Sequence, residues 1–317
     1  MSKTRVFFVT DIHGSDKLFL KFLNAAKIYN AQVLIIGGDI AGKAIIPIFK
    51  KGNSFFAEVK GNFLKAENEK QLEEIKRTIR AQGDYPLIVE EEEWNLLIKD
   101  EQKMERMFNE IIKENIQQWC KLAEVRLKSL NKKVIINIGN DDPPICEEVL
   151  KNSSYVIYPN EKVVWIDEEH EMISLGYSNP TPWNLPGDLP EEVLADKIDR
   201  LVDSLRELKR SIFNIHVPPY NTHLDIAPKL DKELRPVLTP GGEPEFVHVG
   251  SIAVRKAIEK YQPLIGLHGH IHESKGYTKI GQTHCFNPGS EYSIGILNGV
   301  ILDISRDKLN GFLFTSG

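Results

Sequence analysis

The stretch VFFVTDIHG at residues 6–14 is an apolar run that ends abruptly in polar residues. Short apolar runs bounded by glycine or proline are typical of strands that are buried on both faces. Open α/β sheets place their sites at the carboxyl ends of such strands. This run therefore predicts a buried strand that ends at a functional site. Four runs of the same kind follow: VLIIGGDIAG (33–42), VIINIGNDD (134–142), IFNIHVPP (212–219) and PLIGLHGHIH (263–272).

Segments with helical spacing of apolar residues separate these runs. They cover residues 15–30, about 190–210 and about 251–261. Strands that alternate with helices predict an α/β fold. Near the C-terminus, the dipeptide Asn298-Gly299 suits a tight hairpin turn.

A long segment between the second and third runs has a different pattern. Apolar residues recur at steps of three and four over residues 66–82 and, more clearly, over 100–130. Those steps indicate amphipathic helices. We therefore expect a single domain over residues 1–317, with a helical insertion at 43–131 that carries no recognisable chemistry.

The polar residues at the five strand ends form one chemical set. Together they provide two carboxylates, one amide oxygen and four imidazoles. Seven nitrogen and oxygen donors are too many for one tetrahedral zinc, but they suit two cations that share a bridging carboxylate. A set without thiolates favours Mn, Fe, Zn, Co or Ni, and we expect two such divalent ions, with Mn favoured. The residues are Asp11, His13, Asp39, Asn140, His216, His270 and His272.

The order of these motifs, DxH, GD, GN, H and GHxH, resembles the calcineurin-like metallophosphoesterase superfamily over nearly the whole chain apart from the insertion. The run HVPPY at 216–220 resembles the poorly characterised microbial phosphoesterases of that group. The resemblance implies a four-layer α/β/β/α sandwich of two mixed sheets. It also implies that Asp39 bridges two metals. Asp11, His13 and His272 would hold one metal, and Asn140, His216 and His270 the other.

One position departs from the superfamily pattern. Active members usually carry His directly after the motif Asn, whereas this chain has Asp141 there. A free Asp has a pKa near ~3.9, and neighbouring cations favour its ionised form. We therefore expect a poor proton donor and slow cleavage of esters with poor leaving groups. His223, seven residues after His216, could donate a proton to the leaving group in place of the usual His. The predicted catalytic residues are thus Asp141, His13 and His223.

Composition excludes several classes of protein. The mean hydropathy is −0.28, and no apolar run approaches the roughly 20 residues of a membrane-spanning helix. The net charge is −5, and the chain lacks the run of basic residues typical of nucleic-acid binding. Three scattered cysteines give no disulfide framework, which favours the cytoplasm. We therefore expect a cytoplasmic protein with no membrane contact and with nucleic acid an improbable partner.

Three functions follow from this set. The leading interpretation is a dinuclear-metal-dependent phosphoesterase in which a metal-bridging hydroxide attacks a phosphodiester, a nucleotide or a phosphomonoester. A catalytically weak metal-binding scaffold of the same fold is the alternative, because Asp141 replaces the usual His. A nuclease is disfavoured by the missing basic groove. The expected partner is a small phosphorylated substrate, and the long helix at 100–130 could form a homo-oligomer contact.

Overall fold

The computed structural model describes residues 3–317. The α-helices are α1 (Asp16–Ile28), α2 (Glu69–Ala81), α3 (Glu91–Leu97), α4 (Glu101–Leu127), α5 (Pro144–Lys151), α6 (Glu191–Val202) and α7 (Ile252–Tyr261). The strands are β1 (Thr4–Val9), β2 (Val33–Ile36), β3 (Ile45–Lys51), β4 (Ser54–Val59), β5 (Asn62–Ala66), β6 (Tyr85–Val89), β7 (Lys133–Ile136), β8 (Val163–Trp165), β9 (Glu171–Leu175), β10 (Ile212–Ile215), β11 (Ile226–Pro228), β12 (Phe246–His248), β13 (Ile265–Leu267), β14 (Gly276–Ile280), β15 (Thr283–Asn287), β16 (Asn298–Ser305) and β17 (Lys308–Ser316).

Two larger sheets contain the five predicted strands. The first has the order β17-β16-β1-β2-β7, and the second has the order β14-β15-β13-β10-β9-β8. Strands β1, β2 and β7 are mutually parallel, whereas β16 runs antiparallel to both of its neighbours, β1 and β17. In the second sheet β9, β10, β13 and β15 are parallel, and the edge strands β8 and β14 are antiparallel. Both sheets are therefore mixed, and the predicted α/β class is confirmed.

Alternate residues of β1 pack into two different cores, because successive side chains of a strand point to opposite faces. Phe8 belongs to a cluster that also contains Met172 and Leu267 of the second sheet. Phe7 belongs to a second cluster, which it shares with Phe22 of α1 and the helix α4. Burial on both faces explains why the strand contains no polar position before Thr10 except at its first two residues.

A third cluster covers the other face of the second sheet. Phe213 of β10 packs there with Ile198 of α6 and Val254 of α7. Both helices lie within the segments predicted from helical spacing, as do α1, α2 and α4. Within residues 3–317, no helix is long and apolar enough to cross a membrane.

The segment 43–131 is not purely helical, and the prediction was wrong on this point. Strands β3 to β6 form a separate sheet of order β5-β4-β3-β6, on which α2 packs. Gly52 and Gly61 occupy the two hairpin turns with φ angles of 61° and 77°. Apolar and aromatic residues punctuated by these glycines favour hairpins over helix. The helices α2, α3 and α4 make up the rest of the segment.

The predicted hairpin turn at Asn298-Gly299 was also wrong, because both residues are the start of β16. The turn joining β16 to β17 lies at residues 306–307, where Arg306 has a φ of 33°. A side chain at Gly299 would lie 2.7 Å from the ring of Phe7. The glycine therefore serves close strand packing and not a turn.

Candidate metal centre

The strand ends bring six of the seven predicted ligands into two groups. One group contains Asp11, His13, Asp39 and His272, and the other contains Asp39, His216 and His270. In each group the candidate ligand atoms all lie within 4.8 Å of one another. Asp39 belongs to both groups, which is the arrangement expected of a bridging carboxylate. His13, Asp11, Asp39 and His216 are buried, while His270 and His272 are partly exposed.

The side chains converge closely. The Nε2 atoms of His13 and His272 are 3.2 Å apart. Nε2 of His216 lies 3.4 Å from Oδ1 of Asp39, and Nε2 of His272 lies 3.4 Å from Oδ1 of Asp11. Such a concentration of donors in a buried site is unfavourable unless a cation or a proton is shared among them.

Several polar atoms of the site have no hydrogen-bond partner within the described chain. These buried atoms include both ring nitrogens of His216, Nδ1 of His13 and Oδ1 of Asn140. The Nδ2 group of Asn140 donates to Asp188 at 2.9 Å, which fixes the amide and leaves its oxygen without a partner. Buried polar atoms are normally satisfied. The donor set and its unsatisfied atoms therefore fit a pair of divalent cations.

Burial and neighbouring charges shift the pKa values of the carboxylates and imidazoles in the site. Burial alone would raise the pKa of Asp39, but the rings of His216 and His13 outweigh it and hold that pKa well below its ordinary value. Burial lowers the pKa of His216, yet the carboxylates of Asp39 and Asp11 raise it to about 9. Burial lowers the pKa of His13 to about 3 and that of His270 to about 4. Neutral imidazoles and an ionised carboxylate are the forms that bind metal, so a cation bound at His216 would have to displace its proton.

The backbone of the site is strained. Four of the ligand residues have positive φ angles, a region that residues other than glycine seldom adopt. The angles are 52° at Asp11, 39° at His13, 50° at Asp39 and 67° at His270. The strained loops are held by their neighbours, since the Asp11 and His13 amides donate to the carbonyls of Gly38 and Asp39 at 2.9 and 3.0 Å. Strain of this kind concentrates at functional sites.

Glycines beside the ligands make room for them. A side chain at Gly38 would lie 2.5 Å from Nδ1 of His216, and one at Gly139 would collide with the carboxylate of Asp39. The GD and GN motifs thus need glycine because the two strand ends pack directly against the ligands.

Comparison with known proteins gives a relative and a fold. The chain is 34% identical over 194 residues to the uncharacterized protein MJ1162 of Methanocaldococcus jannaschii, covering 61% of this chain and 78% of that protein. The two proteins therefore share a family. No protein-family model matches the chain.

Among solved structures, TT1561 of Thermus thermophilus aligns at a TM-score of 0.54 with 13% identity, covering 100% of this chain and 99% of that chain. This likeness shows the fold. A dimetal phosphatase from Danio rerio aligns at a TM-score of 0.43 with 8% identity, covering 98% of each chain, which is too remote to argue from. On this fold, four of the five motifs, DxH, GD, H and GHxH, bring their side chains together around the shared carboxylate of Asp39. The chain belongs to the same family as MJ1162, and the order of its motifs resembles that of the calcineurin-like metallophosphoesterase superfamily.

Asp141 is the position at which the chain departs from the superfamily pattern that its motifs resemble. Its carboxylate lies 2.8 Å from the Nζ atom of Lys43, and its backbone amide donates to Oδ1 of Asp39 at 3.2 Å. Burial and the Asp39 carboxylate raise the pKa of Asp141, while Lys43 lowers it. This direction is opposite to the expected stabilisation of the ionised form, because burial and Asp39 together outweigh Lys43. Bound divalent cations would oppose that rise.

Two residues beside the ligand cluster belong to none of the five motifs. The side chain of Lys43 is 47% exposed and reaches back from the first residue of the insertion to Asp141. The ring of Tyr292 lies against His13, with centroids 4.5 Å apart, and meets the His272 ring at 5.8 Å. Neither residue follows an apolar strand, so the pattern that identified the ligands could not indicate them.

His223 is placed away from the ligand cluster. Its Nε2 atom lies 2.6 Å from the carbonyl oxygen of Tyr277. Because a carbonyl only accepts, Nε2 must carry the proton and is engaged in that bond. Its predicted role as the acid thus gains no support from the geometry.

Asp142, next to Asp141, stabilises the loop that contains Asp39. Its carboxylate accepts from the amides of Ile40, Ala41 and Gly139 at 2.7–3.0 Å.

Proposed function

We propose that this chain is a dinuclear-metal-dependent phosphoesterase that hydrolyses a phosphodiester, a nucleotide or a phosphomonoester. The observation that carries the proposal is the single carboxylate, Asp39, shared by two groups of metal-ligating side chains. Two divalent cations bound there would supply Lewis acidity and an activated water at neutral pH. The other steps belong to side chains of the protein.

Lys43 and Asp141 would orient the phosphate. The ammonium group of Lys43 is partly exposed beside the ligand cluster, where it can donate to an anionic phosphate oxygen. Asp141 holds Lys43 in place through their ion pair, and its amide holds Asp39. Positive charge fixed beside the phosphate stabilises the negative charge of the transition state. We propose that Lys43 supplies the charge that the usual His provides elsewhere.

The test compares two esters. The protein, loaded with Mn²⁺, is given bis-p-nitrophenyl phosphate and p-nitrophenyl phosphate, with Asp39→Asn as the control. Asn is nearly isosteric with Asp and tolerates positive φ, so the loop should keep its shape. We expect wild-type cleavage and a loss in the variant of at least about a hundredfold. The ratio of the two rates then indicates whether diesters or monoesters are the substrate class.

The alternative is a metal-binding scaffold of weak activity. The Lys43–Asp141 ion pair favours it to a limited degree, because Asp141 partly neutralises the cation that would bind phosphate. Bound metal with no cleavage of either ester would support the scaffold. Absence of bound metal would contradict both interpretations.

We also propose an arrangement of layers, a metal, a partner and a location for this protein. We propose a four-layer α/β/β/α arrangement in a single domain, and the three separate cores support it. We also propose Mn as the favoured metal, a small phosphorylated molecule as the partner and a cytoplasmic location. The three cysteines, all buried and free, are compatible with that location. A homo-oligomer contact along α4 stays a prediction.

A further inference from the structure

A cavity of about 940 Å³ lies beside the metal centre, between α1, α2 and the segment 293–295. Ligand pockets in proteins commonly have volumes of about 300–1,000 Å³, so the cavity could hold a small molecule. Its walls are tied together, because the Ser15 hydroxyl at the start of α1 donates to the carbonyl of Ala81 at the end of α2 at 2.8 Å.

The cavity is strongly basic in a chain of net charge −5. Residues at spacings of three and four on α1 and α2 place their charges on the facing sides of the two helices. Two carboxylates, Asp16 and Glu73, are set against six cations. The cations are Lys17, Lys21, Lys60, Lys76, Arg77 and Arg80.

Three of these cations have no polar partner, ionic or neutral, among the described residues. Within residues 3–317, Lys17, Arg77 and Arg80 have neither a hydrogen bond from the side chain nor a carboxylate within ion-pair distance. Lys76, by contrast, pairs with Glu73 at 2.7 Å. The carboxylate of Asp16 is directed towards α4, where its Oδ1 accepts from two donors, and within residues 3–317 it forms no ion pair with a cation of the cavity. Unpaired like charges lining one cavity repel each other, and an anion would relieve that repulsion.

Two further cations hold the third wall. Lys21 donates to the carbonyl of Gly295 at 2.7 Å, and Lys60 donates to that of Ser293 at 2.7 Å. This wall follows directly after Tyr292, whose ring packs on His13. The cavity and the metal centre therefore share one loop.

We propose that this cavity binds a small polyphosphate anion, either inorganic or part of a nucleotide. Two guanidinium groups and a lysine match several phosphate groups in a row, since guanidinium binds phosphate through paired hydrogen bonds. An open cleft of this volume, bounded by two helices and one loop, fits a molecule of nucleotide size and not the long groove that a nucleic-acid strand follows. The site does not depend on the proposed phosphoesterase activity.

The test measures binding in the absence of metal. Protein freed of metal with a chelator and then dialysed is titrated with tripolyphosphate by calorimetry, so that metal-bound phosphate cannot contribute. We compare wild type with Arg77→Gln/Arg80→Gln. The matched control is Lys70→Gln/Lys99→Gln, which removes the same charge at two residues outside the cavity wall. The thermal transition of each variant verifies folding.

We expect one tripolyphosphate per chain, an affinity at least about tenfold lower in Arg77→Gln/Arg80→Gln, and less than about a twofold change in the control. Added KCl should weaken binding by wild type, because salt screens the charges. A second titration with a nucleoside triphosphate distinguishes the two sources. Tighter binding of the nucleotide, lost in the same variant, assigns the site to nucleotides, and equal binding assigns it to the phosphate chain alone.

Several results would overturn the proposal. They are the absence of binding by wild type, equal affinities for all three proteins, or an Arg77-dependent affinity for a single-stranded oligonucleotide without affinity for tripolyphosphate. Since the protein contains no metal in this experiment, none of these results bears on whether the loaded enzyme cleaves esters.

Discussion

Lys43 is the residue outside the ligand set whose removal should affect the reaction most specifically. We expect Lys43→Met to lower kcat/KM for bis-p-nitrophenyl phosphate by roughly ten- to a hundredfold, because a charged donor to the phosphate is lost. Lys43→Arg should retain part of the activity, since the charge is kept. Steady-state kinetics of Mn²⁺-loaded protein measures the effect.

Two controls separate this role from a structural one. Lys50→Met removes an exposed lysine of the insertion and should leave kcat/KM unchanged. The metal content of Lys43→Met should equal that of wild type, because Lys43 is not a ligand. An unaltered kcat/KM in Lys43→Met would show that the lysine is only the counter-ion of Asp141.

The ligand residues could be predicted from the sequence, whereas the residues that surround them could not. His13 and Asp39 follow buried strands, so the chain pattern indicates both their identity and their direction. Lys43 and Tyr292 come from irregular segments that meet the site only in three dimensions. The hydrogen-bond partner of His223 could not be predicted for the same reason, because the position of His223 in the chain does not indicate contact with the Tyr277 carbonyl.

Among the elements, α4 depends on one carboxylate for its attachment to α1. Oδ1 of Asp16 accepts from Nε1 of the buried Trp119 at 2.6 Å and from Nδ2 of Asn115 at 3.0 Å. We expect Asp16→Ala to lower the free energy of unfolding by about 2–3 kcal/mol, because two buried donors lose their acceptor. Urea unfolding measures the loss.

Asp16 also stands in the first turn of α1, where an acid interacts favourably with the helix dipole. Glu69→Ala is the matched control, since Glu69 occupies the same place on α2 and is exposed. It should cost no more than about 0.5–1 kcal/mol. Equal losses in the two variants would assign the Asp16 effect to the dipole and contradict the proposed anchor.

The insertion shows where element prediction failed. Helix α4 has apolar residues at a regular period over 27 residues, so its pattern is unmistakable. Strands β3 to β5 are 5–7 residues long and partly exposed. Strands this short offer few alternations, and their type depends on hairpin partners that only the folded chain provides. The two glycine turns were the signal that could have revealed them.

For the molecule as a whole, metal should act as a stabilising ligand. A ligand that binds only the folded state at about a hundred times its Kd adds about 2.7 kcal/mol. We therefore expect excess Mn²⁺ to raise the Tm of the metal-free protein by several degrees, and a chelator to reverse the rise. Differential scanning calorimetry measures both steps.

Asp39→Asn should show a much smaller rise, because the shared carboxylate serves both metal groups. Asp303→Asn is a control at a carboxylate far along the chain, paired with Arg5, and should respond to Mn²⁺ as wild type does. The same rise in Asp39→Asn as in wild type would mean that Mn²⁺ stabilises the fold from another site.

The distribution of charge over the folded molecule cannot be read from the order of residues in the chain. Lys17 and Lys21 stand far from Arg77 and Arg80 in sequence, and the insertion at 43–131 has no net charge, with 16 basic and 16 acidic residues. Folding places the basic faces of α1 and α2 against one cavity. A search for basic runs could not detect such a site, because the two faces come together only when α1 and α2 pack.

The strained ligand backbone has an evolutionary consequence. Each non-glycine residue at positive φ costs on the order of 1–3 kcal/mol, and four such residues lie at the metal centre. A lineage that had lost the need for metal would gain stability by accepting glycine at His13 or His270. Four strained side chains in one site therefore trade stability for function, as selection for activity commonly does.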